Sequence, residues 1–478
     1  MNNNNHMIAP RLGIAWDPTG SGKWSIRAGL GQFFNRDRLW PLQIAGNNPP
    51  FNPSFNSPGG NGRVLDQGFD HQLPACDPNC YASGLGLPSI GQSTSDQMPN
   101  AWQWNLSVQR EVFRNAKLEV AYVGNKNNHW EQIADVNFVP SADRLTYVQN
   151  ENSTAKVGDP DAHGFADAGH YLASLRPYGG LVANNSITYY SHGSSSDYHS
   201  LQTFFNMRVR SNTTFQAAYT WSKLLADSQR LDTPAPNLDG QDRHATYGPD
   251  ILNHPHIFSA SLVYGLPTLQ NSNGFVRGTL GGWEASTIVS LSSGPSITPL
   301  VSVQGLGDPS GVGNGTATGR ERPNRVAGES CRASGADSKT YLNPNMFSVN
   351  GFQLGTIGNA GVGICSGPPS RDVDMGVDKN FKITERIKMQ FRMEFFNLFN
   401  HPQYVANDVI NNAKINFNAP VFGDANGNVV TPDPSNGVLR GATQILSATP
   451  APSSNYGKAQ NVRENGFRQI QYALKIIF

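Results

Sequence analysis

The chain has 478 residues, enough for one large domain or several small ones. Its formal net charge is +1 and only 15% of its residues are charged, so nothing indicates a nucleic acid or a strongly acidic partner. Glycine and proline are abundant, at 49 and 32 residues, and aromatic residues make up 10%. This composition is typical of many strands joined by long loops.

Two common membrane signals are absent from the sequence. No run approaches the roughly 18 consecutive apolar residues of a transmembrane helix. Residues 1–6 lack the basic and apolar regions of a secretory signal peptide, so we expect a processed, truncated or engineered start. A barrel that crosses the membrane with strands is compatible with both observations, because its strands alternate and its loops are polar.

Segments with period-two alternation recur along the chain, and each predicts a strand with one apolar and one polar face. In the third segment, the apolar positions are Trp102, Trp104, Leu106 and Val108. Each clear segment is about 9–12 residues long, which is the length that a tilted strand needs to cross hydrocarbon. We predict eleven such strands, starting near residues 11, 24, 101, 117, 198, 213, 256, 280, 371, 387 and 467.

Short turns and long polar connections alternate between these strands. The short turn at residues 17–23, for example, is followed after the next strand by a connection that runs to about residue 100. Outer-membrane barrels have short periplasmic turns and long extracellular loops, so we predict an all-β, antiparallel transmembrane β-barrel. The long connections leave room for one or two further strands, for example around the turn at residues 424–428.

Tryptophan and tyrosine residues cluster near the ends of the predicted strands. Outer-membrane barrels carry such aromatic girdles at both membrane interfaces, because these amphipathic rings prefer the headgroup level. The residues that we assign to the girdles are Trp24, Trp102, Trp104, Tyr122, Tyr219, Trp221, Tyr264, Trp283 and Tyr472.

The last predicted strand has one apolar face and one mostly polar face. A strand that ends on an aromatic residue is typical of the one that closes an outer-membrane barrel. With the short turns in the periplasm, the first and last of the eleven strands both run towards the periplasm. Bacterial barrels have an even number of strands, so their first and last strands run in opposite directions. We therefore expect residues 1–478 to be the carboxy-terminal part of a larger barrel. The apolar face of this closing strand consists of Ile470, Tyr472, Leu474, Ile476 and Phe478.

Several strand motifs resemble the barrel of TonB-dependent outer-membrane transporters of the Oar-like type. They occupy residues 10–17, 26–34, 104–111, 119–124, 219–223, 280–283, 293–294 and, most specifically, 391–401. The resemblance implies a 22-stranded barrel, of which this chain holds about half. It also implies a plug, often preceded by a sandwich domain, and nutrient uptake driven by the TonB system. The plug and sandwich domain are absent from this sequence, so TonB would act only through the missing plug.

Two charged rows are predicted on the inner faces of adjacent strands. One row comprises acidic residues before a short turn, and the other comprises mixed charges after it: Asp372, Asp374, Asp378, Lys388, Arg392 and Glu394. One interpretation is that they line a substrate path or dock a plug by ion pairs. We favour a solvated lumen wall, because cross-strand ion pairs in water are worth only fractions of a kcal/mol.

The four cysteines fall into two local groups in loop-like segments. Cys76 and Cys80 form the first group, and Cys331 and Cys365 form the second. An even number of cysteines in such segments indicates disulfides formed in an oxidising compartment. A metal site is the alternative, but only His71 lies beside the first pair, so we favour disulfides.

No motif predicts an enzyme or a cofactor site. Residues 20–23 resemble a phosphate-binding loop, but Trp24 stands where serine or threonine is required. Residues 424–428 resemble the start of a calcium loop without its closing glutamate, which favours a turn. We expect a transporter segment in the outer membrane of a Gram-negative bacterium, with membrane lipid and an unknown nutrient as partners. The alternatives are a passive porin-like barrel and a secreted all-β binding protein or enzyme.

Overall fold

The computed structural model describes residues 7–35, 90–92, 97–179, 187–210, 212–227, 243–306, 309–312, 321–384 and 386–477. Strands far outnumber helices in these ranges. None of the helices found there is long and apolar enough to cross a membrane. The predictions for Cys76, Cys80 and Phe478 fall outside the described residues.

One large sheet, which we call the wall, contains all eleven predicted strands, each antiparallel to its neighbours among them. Their order in the sheet follows their order in the chain, and two further short strands pair at its side, one of them in parallel. The wall strands are β1 (Arg11–Trp16), β2 (Trp24–Phe34), β3 (Ile90–Gln92), β4 (Asn100–Phe113), β5 (Ala116–Asp135), β6 (Thr188–Arg210), β7 (Thr213–Ala226), β8 (Gly248–Pro249), β9 (His256–Gly265), β10 (Trp283–Ser292), β17 (Ser370–Lys382), β18 (Lys388–Phe396) and β22 (Gln469–Ile477).

The register of the wall sorts its side chains into an apolar face and a polar face. On β1, Leu12 and Ile14 are 67% and 61% exposed, and on β22 Leu474 is 62% exposed. A continuous apolar sheet face of this kind is stabilised by lipid and not by water. Cross-strand pairing places all the predicted girdle residues on this same face, namely Trp24, Trp102, Trp104, Tyr122, Tyr219, Trp221, Tyr264, Trp283 and Tyr472.

Gly124 on β5 leaves space for the indole ring of Trp104 on β4, its cross-strand partner. A Cβ atom at residue 124 would lie 2.2 Å from the nearest ring carbon of Trp104. Glycine in a strand often marks such a close approach, because any side chain would displace its neighbour.

We expect Gly124→Val to lower the free energy of unfolding of the full-length protein by about 1–3 kcal/mol, the usual cost of overpacking. Gly13→Val is the matched control, because a Cβ atom at residue 13 on β1 would find its nearest neighbour 4.0 Å away. Unfolding in phospholipid vesicles, followed by fluorescence, measures both changes. Equal losses for the two variants would contradict the proposed role of the indole contact.

Two strands are longer than the predicted 9–12 residues. β5 and β6 span 20 and 23 residues, and they stay paired from Ala116 and Met207 as far as Asp135 and Thr188. About 9–11 residues are enough to cross the hydrocarbon layer, so this hairpin projects beyond it. The predicted start of β6 near residue 198 is therefore wrong, because the strand begins at Thr188.

The short and long connections lie at opposite ends of the wall, as predicted. The described parts of the long connections contain four small helices, α1 (Arg144–Asn150), α2 (Ala168–Ser174), α3 (Arg243–Thr246) and α5 (Ala406–Asn411). A further helix, α4 (Gly274–Leu280), lies at the other end, between β9 and β10. Two 3-10 turns, Pro160–Ala162 and Pro344–Met346, complete the helical segments.

The long connections fold together into a second unit, which we call the cap. Its strands are β11 (Ser296–Ile297), β12 (Leu300–Val303), β13 (Asn324–Arg325), β14 (Phe347–Ser348), β15 (Phe352–Gln353), β16 (Cys365–Ser366), β19 (Lys414–Gly423), β20 (Val429–Val430) and β21 (Gln444–Pro450). The central cap sheet has the order β12-β19-β21-β15, with β20 paired to β19. The hairpin of β19 and β20 confirms the predicted turn at residues 424–428. In that turn the Asp424 carboxylate accepts the N–H groups of Asn426 and Asn428, at 2.9 and 2.8 Å.

A continuous hydrophobic core holds the cap together. It joins side chains from three connections that are far apart in sequence, represented by Val148, Phe352 and Ile445. Each of these three is at most 1% exposed. Burial of a side chain of this size contributes about 1.5–3 kcal/mol, so the cap is a packed unit and not a set of independent loops.

Candidate functional site

The polar face of the wall is the candidate functional surface. One cross-strand row on this face runs through Arg27, Ser107, Gln202 and Thr220, with Ala121 between the second and third. In an outer-membrane barrel the face opposite to lipid lines the lumen, where polar side chains stay hydrated. This face therefore suits the passage or binding of a polar solute.

The predicted charged rows lie on this polar face, opposite to Tyr472 and Leu474. Asp378 on β17 lies directly between Glu284 on β10 and Arg392 on β18. The remaining predicted residues share the face, with Asp372 beside Ser290, Glu394 beside Gly376 and Lys388 beside Lys382. This part of the wall therefore carries two neighbouring acidic residues followed by one cation.

Asp374 belongs to the predicted acidic row but contacts the start of the cap. Its carboxylate accepts the backbone N–H of Asn397 at 2.9 Å. Asn397 is 3% exposed and has a φ of 48°, and its side-chain amide donates to the carbonyl oxygens of His401 and Gly466, at 2.7 and 3.0 Å. Asp374 thus fixes the turn that leads out of β18, a role that the sequence pattern did not indicate.

A concave pocket of about 450 Å³ lies near β1, where the wall has an edge. Its polar lining includes Arg11, Gln103, Asn105 and Asn125. The Arg11 guanidinium lies 4.7 Å from the centre of the Phe33 ring, and the buried Asn125 Oδ1 atom has no hydrogen-bond partner within the described chain. The pocket therefore offers polar side chains, among them Arg11 and Gln103, to a polar group.

The cap is tied together by polar contacts as well as by its core. Asp161, whose side chain is 3% exposed, forms an ion pair with Arg440 and accepts the amide of Asn436 at 2.6 Å. This joins the β5–β6 connection to the β18–β22 connection. On the β7–β9 connection, burial and a hydrogen bond to Asp197 raise the pKa of Tyr247 to about 12, so its hydroxyl stays protonated.

A disulfide links Cys331 and Cys365, which confirms the prediction for this pair. Cys365 is 1% exposed in the cap core, and Cys331 packs against that core. The described residues contain no group of three or more His, Cys, Asp or Glu side chains placed to hold a metal ion. The disulfide therefore acts on the cap as a covalent link between two segments of one connection.

We expect the double variant Cys331→Ser/Cys365→Ser to destabilise the cap by about 2–4 kcal/mol. The bond closes a loop across 34 residues, and its loss gives the unfolded cap more conformational freedom. Hydrogen exchange of cap amides in the full-length protein measures this change, with the amides of β4 and β5 as the internal reference. Unchanged exchange in the cap, or an equal change in the wall, would contradict the prediction.

Comparison with known proteins gives the following similarities. The outer membrane transporter YddB from Escherichia coli is 9% identical, with a TM-score of 0.42 over 93% of this chain and 40% of that protein. The unliganded ferric citrate transporter FecA is 8% identical, with a TM-score of 0.36 over 98% and 38% of the two chains. A mutant of the ferric enterobactin receptor PfeA from Pseudomonas aeruginosa is 8% identical, with a TM-score of 0.38 over 98% and 40%.

The chain thus spans about 40% of the length of the solved transporters that it matches. T-box-containing protein 2 from Halocynthia roretzi is 24% identical over 144 residues, which is 30% of this chain and 20% of that protein, an extent that shows no family. The model of the outer membrane beta barrel domain, by contrast, matches residues 1–471. The chain therefore belongs to this family and lies in the outer membrane of a Gram-negative bacterium.

Proposed function

We propose that this chain is the carboxy-terminal part of the barrel of a TonB-dependent transporter of the Oar-like type. The whole protein would carry a large or scarce nutrient across the outer membrane. The strand motifs at residues 26–34 and 391–401, their order along the chain and the membership in the barrel family support this proposal. A polar wall face, opposite to the apolar face, is what such a path requires.

The two open edges of the wall are the observation that best supports this proposal. Within the described chain, β1 pairs only with β2, and β22 pairs only with β18. Because the wall path has eleven strands, its first and last strands run in the same direction, so antiparallel closure requires an odd number of further strands. Unpaired edges in lipid would leave backbone groups without partners, each at a cost of several kcal/mol. A barrel of 22 strands, which the Oar-like resemblance implies, would add eleven strands to the wall, and eleven is an odd number.

We also propose that the charged rows belong to the lumen wall that surrounds a plug in the complete barrel. The row of Glu284, Asp378 and Arg392 across three strands supports this role, since it offers both signs of charge to a facing surface. The pocket beside β1 would lie where the missing strands join the wall. The TonB system would act through the plug.

The experiment is uptake by cells that express the full-length protein, with and without an intact TonB system. Candidate nutrients are supplied as sole sources, and growth is compared with that of cells lacking the protein. A transporter of the proposed type supports growth only when TonB is present. Growth that depends on the protein but not on TonB would favour the passive porin-like alternative, as would a complete gene that encodes no plug upstream of residue 1.

A further inference from the structure

The β9–β10 connection differs from the other short connections at its end of the wall. It contains α4, and it exposes large apolar side chains there. Phe275 and Leu280 of α4 are 77% and 63% exposed, and no residue of the helix is buried. Exposed apolar side chains on a short helix at a membrane boundary are unfavourable unless a further apolar phase covers them.

Two side chains of the wall hold the carboxy-terminal end of α4. The Nζ atom of Lys379 donates to the carbonyl oxygens of Gly278 and Thr279, at 2.6 and 3.0 Å. The indole Nε1–H of Trp283 donates to the same Thr279 oxygen at 2.9 Å. The last carbonyl groups of a helix have no partners within it and carry partial negative charge, so an ammonium group is a suitable ligand for them.

Lys379 lies on the lipid-facing side of the wall. In the register of the sheet it pairs with Trp283 on β10 and with Phe391 on β18, and Phe391 in turn pairs with Leu474. The ammonium lies 4.9 Å from the Phe381 ring centre, and the residue is only 4% exposed. A cation on this face is tolerated near the interface when carbonyl groups and aromatic rings surround it.

We propose that α4 lies in the headgroup region of the periplasmic leaflet and anchors the wall to phospholipid, with Phe275 and Leu280 in the acyl-chain boundary. The partner of α4 is phospholipid, because Lys379 and Trp283, which hold the helix, belong to the lipid-facing surface of the wall. Arg277 is exposed on the same helix and can meet lipid phosphates. The proposal rests on the position of the wall in the membrane and does not depend on TonB or on a substrate.

Spin labels on the full-length protein in phosphatidylethanolamine–phosphatidylglycerol vesicles test the proposal. Single cysteines replace Phe275 and Leu280, and Arg114→Cys, in the exposed β4–β5 turn at the same end of the wall, is the matched control. The ratio of relaxation by oxygen to relaxation by a water-soluble nickel complex reports the depth of each label. We expect this ratio to be several-fold higher at residues 275 and 280 than at residue 114. Protein without an added cysteine gives the background labelling.

Equal, low ratios at all three sites would place α4 in water and overturn the proposal. Exclusion of both relaxing agents from residues 275 and 280 would mean a protein partner, and would overturn it as well. In the Lys379→Met background we expect the label at residue 280 to gain mobility and lose its preference for oxygen. If that variant does not fold, Trp283→Phe removes one donor to Thr279 and keeps the aromatic ring. An unchanged label at residue 280 in a folded variant would refute the anchoring role.

Discussion

Replacing Phe417 with alanine should lower the free energy of unfolding of the cap by about 3–5 kcal/mol, the usual cost of truncating a buried phenylalanine. Phe417 is 1% exposed on β19, where it pairs with Val303 of β12 and with Pro450 of β21. The lost side chain would leave a cavity at the centre of the cap sheet. Hydrogen exchange of cap amides in the full-length protein measures the effect.

Val421→Ala is the matched control for this experiment. It removes an apolar side chain from the same strand, but Val421 is 36% exposed, so we expect a loss below about 1 kcal/mol. Similar losses for the two variants would mean that the cap has no common core. Loss of exchange protection in the wall as well as the cap would mean that the two units unfold together.

The second large effect concerns the two faces of the wall. We expect Val120→Arg to cost up to about 2–4 kcal/mol, because it places a charge on the lipid-facing side of β5. Val120 is 39% exposed and lies between Val108 and Thr203 on that face. Unfolding of the full-length protein in phospholipid vesicles gives the free energies.

The adjacent substitution Ala121→Arg is the control, because the side chain at residue 121 lies on the polar face between Ser107 and Gln202. We expect it to be much milder, since an arginine there stays hydrated. If the two substitutions cost the same, the assignment of lipid and lumen to the two faces is wrong.

The wall could be predicted from sequence because its two environments leave a local signal. Lipid on one side and a polar lumen on the other impose strict alternation, and Trp102, Trp104 and Leu106 show it without any knowledge of their partners. The structure places each of the eleven predicted strands in one sheet, in chain order. The excess length of β5 and β6 was missed because their outer halves, from about Asn127 and before Ser196, lack an apolar face.

The cap could not be predicted in the same way, because its order depends on contacts between distant segments. Val301 and Ile415 are both fully buried and pair in parallel, although 113 intervening residues separate them. The cap strands apart from β19 and β21 are only two to four residues long, too short to show a period. The one local signal that did succeed was the turn at residues 424–428, where Asp424 accepts hydrogen bonds from its near neighbours.

The candidate site, too, could be predicted from the sequence only in part. The side of the sheet on which Asp378 and Arg392 lie follows from alternation, but their direct pairing depends on register. Asp374 has the same pattern and a different task, because it holds Asn397 of the next connection. Periodicity thus predicts which face a residue occupies, and only the partners in the fold decide what it does there.

The position of the disulfide within one connection bears on the order of assembly. Cys331 and Cys365 both lie between β10 and β17, so they can be oxidised while the chain is still unpaired in the periplasm. The cap core, in contrast, needs segments as distant as Val148 and Tyr456 to meet, which requires the intervening hairpins to be in place. We therefore expect the covalent bond to restrict the β10–β17 segment before hydrophobic packing completes the cap.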